Sequence, residues 1–250
     1  MPKMPVKPSM PQVAMVLAAG LGMRLRPITQ NLPKPLVTVA GQSILGRVLD
    51  ALEAAGVGRC VVNTHYLAEM IEAHLAHRRQ PPTELSHESE LLDTGGGVAR
   101  ALRSLGSRPF FVVNADILWC EGPGAKALSR LAASFDDDAM DALLLLAAKE
   151  DAIGYDGRGD FFIDAAGSLT RRGDATDAPH VFTGLQILSP RLFAGCPEGA
   201  FSLNLLYDRA RETGRLFGIE HTGRWFHIGT PEGLGLAEAA LGDGAPEDVG

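Results

Sequence analysis

Residues 13–27 read Val-Ala-Met-Val-Leu-Ala-Ala-Gly-Leu-Gly-Met-Arg-Leu-Arg-Pro, and residues 31–36 read Asn-Leu-Pro-Lys-Pro-Leu. Five apolar residues, 13–17, have the length and composition of a short buried strand. The strand opens into Ala18, Ala19, Gly20 and Gly22, whose small side chains let a ligand approach the backbone closely. The N–H groups of such a loop can meet anionic oxygens or the edge of a base. Arg24, Arg26 and Lys34 then follow within eleven residues, and this local positive cluster suits a triphosphate. Two better-known phosphate loops do not fit. A P-loop needs Lys-Ser or Lys-Thr after its second glycine. The dinucleotide fingerprint matches at Gly20 and Gly22 but meets Leu25 where its third glycine belongs.

Outward from this stretch, short apolar runs alternate with helical patterns, as in βαβ units with a mostly parallel sheet. Residues 43–55 read as a helix with Ile44, Val48, Leu49 and Leu52 on one face and Gly56 as its stop. Strands are expected at 59–63, 109–114, 141–147, 181–188, 216–219 and 224–228. Further helices are expected at 67–77, 97–105, 202–213 and 231–241, the third helix of the chain being opened by Gly95, Gly96 and Gly97. Polar, turn-rich residues between 151 and 180 read as an insertion able to carry a second substrate. The organisation expected is a proline-marked loose arm over 1–12, a single domain over 13–242 and a loose tail over 243–250. No internal repeat is visible.

Composition narrows the class. The 250 residues hold 46% hydrophobic and 21% charged side chains, as in an ordinary globular domain. With 23 basic and 30 acidic residues the net charge is −7, which argues against a nucleic-acid surface. No apolar run is long enough to span a membrane. Cys60, Cys120 and Cys196 are scattered and form no Cys-x-x-Cys, a reduced, cytoplasmic pattern without a disulfide framework. Asp136, Asp137 and Asp138 read as a solvated turn. His65 closes a strand, either facing a cleft or serving the fold. His74, His77 and His87 show no metal-site spacing, and no G-x-S-x-G supports a serine hydrolase.

The motifs at 17–27 and 31–36 resemble the opening of the sugar-1-phosphate nucleotidyltransferase family. Leu-Leu-Asp-Thr-Gly-Gly-Gly at 91–97, Val-Asn-Ala-Asp at 113–116 and Trp-Phe-His-Ile-Gly-Thr at 225–230 follow in the family's order. The short length and the L-x-T-G-G-G form are most similar to its N-acetylmuramate 1-phosphate uridylyltransferase branch, with mannose-1-phosphate guanylyltransferases as the other candidate. The resemblance implies a Rossmann-like three-layer α/β/α sandwich. It implies transfer of a nucleotidyl group from an NTP, by branch UTP, to a sugar 1-phosphate, by branch N-acetylmuramate 1-phosphate. It further implies release of pyrophosphate and a setting in cytoplasmic cell-wall recycling.

The resemblance also implies roles. Leu17, Ala18, Ala19, Gly20 and Gly22 would hold the nucleotide, and Thr94, Gly95 and Gly96 would meet its base through backbone groups. Arg24 and Lys34 would be the catalytic cations, and Asp116 would bind Mg²⁺. Asn114, Gly154, Arg172, Thr183 and Gly184 would face the sugar phosphate, with Arg171 beside them. One departure stands out: relatives carry an aspartate as second metal ligand where this chain has His227. Imidazole is a poor partner for Mg²⁺ and a better one for softer ions, Mn²⁺ included. Three readings stay open for His227: ligand of such a metal, hydrogen-bond partner of a phosphate or metal-bound water, or structural residue. The last alternative is a non-catalytic, nucleotide-binding relative.

Overall fold

The computed structural model describes residues 10–242. The rest of the expected arm and tail, 1–9 and 243–250, lies outside the described residues. The described end of the arm is docked: Pro11 is buried, and the Gln12 carbonyl accepts the N–H groups of Gly58 (2.9 Å) and Arg59 (3.2 Å).

The chain forms β1 (Val13–Leu17), β2 (Thr38–Val39), β3 (Gln42–Ser43), α1 (Ile44–Ala54), β4 (Arg59–Thr64), α2 (Ala68–Leu75) and β5 (Thr83–His87). It continues through α3 (Asp93–Leu105), β6 (Phe110–Asn114), β7 (Ile117–Trp119), α4 (Ala127–Ser134), β8 (Ala142–Ala148), β9 (Ala152–Ile153), β10 (Phe161–Ile163) and β11 (Leu169–Arg171). It closes with β12 (His180–Leu188), α5 (Leu203–Glu212), β13 (Leu216–Glu220), β14 (Trp225–His227) and α6 (Pro231–Gly242). No helix among the described residues is long and apolar enough to cross a membrane.

The main sheet runs β5-β4-β1-β6-β12-β8-β13. β5, β4, β1 and β6 are parallel neighbours, and β8 and β13 are parallel to each other. β12 lies between β6 and β8, antiparallel to both, so it alone runs against the common direction. The expected mostly parallel sheet is therefore found. β1 alternates its buried side chains between two faces. Ala14 and Val16 join Leu45, Val48 and Leu49 of α1, Ile71 of α2 and Leu131 of α4. Met15 joins Val98 and Ala101 of α3 and Leu206 of α5. This period-two alternation packs helices against both faces and makes the three layers.

Smaller pieces flank the sheet. β10 and β11 form an antiparallel hairpin within the expected insertion, and β10 pairs with the start of β12. β7, β14 and β9 form a three-stranded sheet capped by α6, with Leu118, Phe226 and Ala237 buried together. The helix signals at 43–55 are borne out: the Ser43 hydroxyl accepts the Gly46 N–H at 3.0 Å as an N-cap. Helix α3 differs from expectation. It begins at Asp93, four residues before the expected start at Gly97, so Gly95, Gly96 and Gly97 all lie inside its first turns. Glycine within a helix costs about 1 kcal/mol relative to alanine, and the packing described below explains its use.

Candidate active site

A cleft opens at the carboxyl ends of β1 and β6. It is lined by Leu17, Ala18, Gly20, Gly22, Met23, Arg24, Lys34, Pro35, Ala115, Asp116 and Gly229. From β1 the chain goes first to β4 and β5 on one side, and later to β6 on the other. The cleft thus sits at the switch point of the sheet, where open α/β sheets bind ligands. Two loops that leave neighbouring parallel strands must diverge there. The Ala115 N–H still donates to the Leu17 carbonyl (3.0 Å) and holds the two loop starts together.

The chemistry gathers on one wall. Lys34 is 7% exposed, and its Nζ donates to Asp116 Oδ2 at 3.0 Å across 82 residues of sequence. A buried ammonium needs a partner, and Asp116 supplies one of the three acceptors that its N–H groups can use. The other two N–H groups have no acceptor among the described residues and remain for a ligand. Arg24 lies on the same cleft, exposed, with no acidic partner among the described residues. Gly22 has φ +61°, and a Cβ there would lie 3.1 Å from the Lys34 Cβ. The glycine is therefore required both by its backbone and by close approach to the lysine.

His227 ends β14, beside the cleft. Its ring stacks on Trp225 (centroids 6.0 Å apart, 18° between planes) and meets the edge of Tyr155 (5.8 Å). Burial lowers its pKa below the ordinary histidine value, and the nearby Lys34 and Arg24 charges push the same way against the Gly154 bond and Asp116. The imidazole is thus neutral at pH 7. Its Nδ1 lies 3.3 Å from the Gly154 carbonyl, which can only accept. Nδ1 then carries the proton, and Nε2 presents a lone pair. A Cβ on Gly229 would collide with this ring, so Gly229 is what lets the histidine lie against the cleft wall.

The expected sugar-side residues divide. Asn114 and Gly184 are neighbours: Gly184, at φ +89° in the irregular stretch of β12, would bring a Cβ within 3.1 Å of the Asn114 Cβ. Gly154, at φ +75°, sits under His227. Thr183 is fully buried and donates its hydroxyl to the Leu145 carbonyl (2.8 Å), while its own carbonyl accepts the Trp225 indole N–H (2.9 Å). Its side chain serves the sheet. Arg172 is tied to its own loop through the carbonyls of Gly159 (3.2 Å) and Ala175 (3.1 Å), and Arg171 faces Asp208 at 3.6 Å.

The residues expected at the base also serve the fold. The N–H groups of Gly95 and Gly96 both donate to the Phe201 carbonyl, at 2.8 and 3.0 Å, and the Thr94 hydroxyl accepts the Leu203 N–H at 3.0 Å. Thr94, Gly95 and Gly96 do not line the cleft. Their small size serves packing: a Cβ on Gly95 would overlap the Phe201 ring, and one on Gly96 the Gly199 carbonyl.

Two residues that sequence reading passed over support the loop instead. Asn63 Oδ1 accepts the Ala18 N–H (2.7 Å), and Asn63 Nδ2 donates to Glu88 Oε1 (2.7 Å). Asn63 was visible only as the polar end of an apolar strand, and no local pattern singles out Glu88. His65 bonds the Glu88 carbonyl through Nδ1 (2.9 Å), a structural use.

Comparison with known proteins agrees with this geometry. Residues 13–155 match the nucleotidyl transferase family. The sequence is 44% identical over 239 residues to an N-acetylmuramate alpha-1-phosphate uridylyltransferase of Caulobacter vibrioides, covering 93% of this chain and 98% of that one. A protein of the same name from Neisseria meningitidis serogroup B is 32% identical over 234 residues, covering 92% and 98%. The crystal structure of HddC from Yersinia pseudotuberculosis complexed with GMP-PN superposes with a TM-score of 0.75 at 25% identity, covering 92% of this chain and 99% of that chain. The glycine loop, Lys34 and Asp116 all fall inside the matched stretch, and the chain belongs to the nucleotidyl transferase family.

Proposed function

We propose that this nucleotidyltransferase moves the uridylyl group of UTP onto N-acetylmuramate 1-phosphate, giving the UDP-sugar and pyrophosphate. The observation that carries the reaction class is the buried Lys34 ammonium, with two N–H groups left open into a cleft rimmed by Ala18, Gly20, Gly22 and Arg24. The substrate pair is supported by the near full-length likeness to the two uridylyltransferases.

In this reading a phosphate oxygen of the sugar 1-phosphate attacks the α-phosphorus in line. The new P–O bond forms as the bond to the bridging α–β oxygen breaks, and pyrophosphate departs with that electron pair. The attacking oxygen is already anionic near neutral pH, so no general base is needed. The barrier is the approach of two anions, and Lys34 and Arg24 lower it by neutralising and positioning charge.

One carboxylate, Asp116, faces the cleft, and no cluster of three or more His, Cys, Asp or Glu side chains able to hold a metal exists among the described residues. This donor set suits a hard divalent cation shared between one carboxylate, water and substrate phosphates, as Mg²⁺ is usually held. Asp116 would hold it, and the cation would supply charge neutralisation at the α- and β-phosphates. His227 would act as an acceptor: its bare Nε2 offers a lone pair to a hydrogen-bond donor in the cleft and no proton to a phosphate.

The pair is tested by competition. UTP, GTP, N-acetylmuramate 1-phosphate and mannose 1-phosphate are supplied together at equal concentration, and the products are resolved by mass. The UDP-linked N-acetylmuramate should dominate. GDP-mannose as main product would overturn the assignment.

A further inference from the structure

The two buried polar side chains that support the nucleotide loop take no part in the chemistry described above. Asn63, at the end of β4, is 3% exposed, and Glu88, just after β5, is 1% exposed. Their order is enforced by what each atom can do. A carboxylate only accepts hydrogen bonds, so Glu88 Oε1 turns the donor end of the Asn63 amide toward itself (2.7 Å). The amide oxygen is thereby aimed at the Ala18 N–H (2.7 Å). The other carboxylate oxygen accepts the Leu92 N–H (3.0 Å), just before α3. The backbone of Glu88 is held as well, its N–H by the Thr64 carbonyl at 2.8 Å. Gly97 closes the space: a Cβ there would lie 2.8 Å from both Asn63 Nδ2 and Glu88 Oε1.

We propose that Asn63 and Glu88 are a positioning pair for the nucleotide: they fix the Ala18 amide and so set where the following amides of the loop meet the NTP. The proposal rests on the reading that this loop holds the nucleotide. The Ala18 N–H is withdrawn from ligand contact by the pair. The amides of Ala19, Gly20 and Gly22 have no acceptor among the described residues, and their direction follows from the peptide that Asn63 holds. Lys34 and Asp116 are not bonded to the pair. Its loss should therefore weaken the NTP and spare the sugar phosphate.

The polarity of the pair can be exchanged. In Asn63→Asp two carboxylates face each other at the Asn63–Glu88 contact. In Glu88→Gln the new amide puts a donor against either Asn63 Nδ2 or the Leu92 N–H. In the double variant Asp at 63 accepts from Ala18 and from Gln at 88, which accepts from Leu92, and all three bonds return. Steady-state kinetics on the full chain should show each single variant raising KM for UTP about tenfold or more, the usual effect of a broken buried hydrogen bond to a charged group. KM for the sugar 1-phosphate should stay near wild type, and the double variant should recover most of the UTP KM. Should Asn63→Asp fail to fold, Gly97→Ala disturbs the pair without changing its chemistry and should raise the UTP KM in the same selective way. Single variants that lower Tm but leave the UTP KM unchanged would overturn the proposal, as would a double variant no better than the worse single. Wild-type protein without turnover would instead overturn the parent reading, so the two failures are distinguishable.

Discussion

Lys34 is almost closed off from solvent, whereas its partner Asp116 keeps 41% of its side chain exposed. The lysine is thus held as a fixed charge on the cleft wall, and the carboxylate stays open to a cation. Removing one preorganised charge of this kind costs about 10²–10³ in rate, so Lys34→Ala and Asp116→Ala should lose turnover on that scale. Both variants should keep the fold, Asp116→Ala with the lower melting temperature because it leaves the buried Lys34 ammonium without its partner; circular dichroism melts beside the rate assay check this. Normal turnover by folded Asp116→Ala would remove it from the mechanism. Arg24 and Lys34 were legible in the sequence, because small residues and cations in a short span already describe an anion site; Asp116 was expected beside them only from the resemblance. Asn63 and Glu88 were not. They meet across 25 residues only because β4 and β5 pair in parallel, and nothing in the local pattern announces that pairing. Thr183 and Arg172 were expected beside the sugar phosphate; in the structure the Thr183 hydroxyl donates to the Leu145 carbonyl and Arg172 Nε to the Gly159 carbonyl.

At the level of elements, α3 carries the clearest lesson. Three consecutive glycines read as a loop that opens a helix, yet the helix runs through them. Their lack of side chains lets the segment around Gly199 and Phe201 lie against the helix start and lets Asn63 and Glu88 meet beneath it. Gly95→Ala would drive a methyl into the Phe201 ring, and overpacking of this kind costs about 1–3 kcal/mol. A chemical denaturation series should show a loss in that range; an unchanged midpoint would contradict the clasp. The amphipathic helices were legible from their apolar spacing. The edge strand β5, reading Thr-Glu-Leu-Ser-His, was not, since its polar composition carries no strand alternation, and α4 was passed over as well.

For the molecule as a whole, the mostly parallel sheet follows from alternating apolar strands and helices and was read correctly; the place of the cleft at the switch point is set by the strand order. The reversal of β12 between β6 and β8 was not foreseen. A strand looks the same in either direction, and only the long return through the β10–β11 hairpin sets its sense. Stability should also carry an acid signature. Burial lowers the pKa of His221, whose Nε2 lies 3.1 Å from the Cys120 carbonyl, and burial with the nearby Arg78 charge lowers that of His74. Both take up protons more readily when unfolded. Their contribution is therefore complete above the unfolded value of about 6.5 and is lost as pH falls below it. The melting temperature should decline from pH 7 toward pH 5, and His221→Gln should flatten that decline. An equal slope in the variant would refute the assignment.

The most direct measurement is pyrophosphate release by the wild-type protein, followed with UTP alone, with N-acetylmuramate 1-phosphate alone, and with both in the presence of Mg²⁺. Release only when both substrates are present is the expected result. Binding of UTP with no release under any condition would contradict the transferase and leave a nucleotide-binding protein; release from UTP alone would make the cleft a hydrolase.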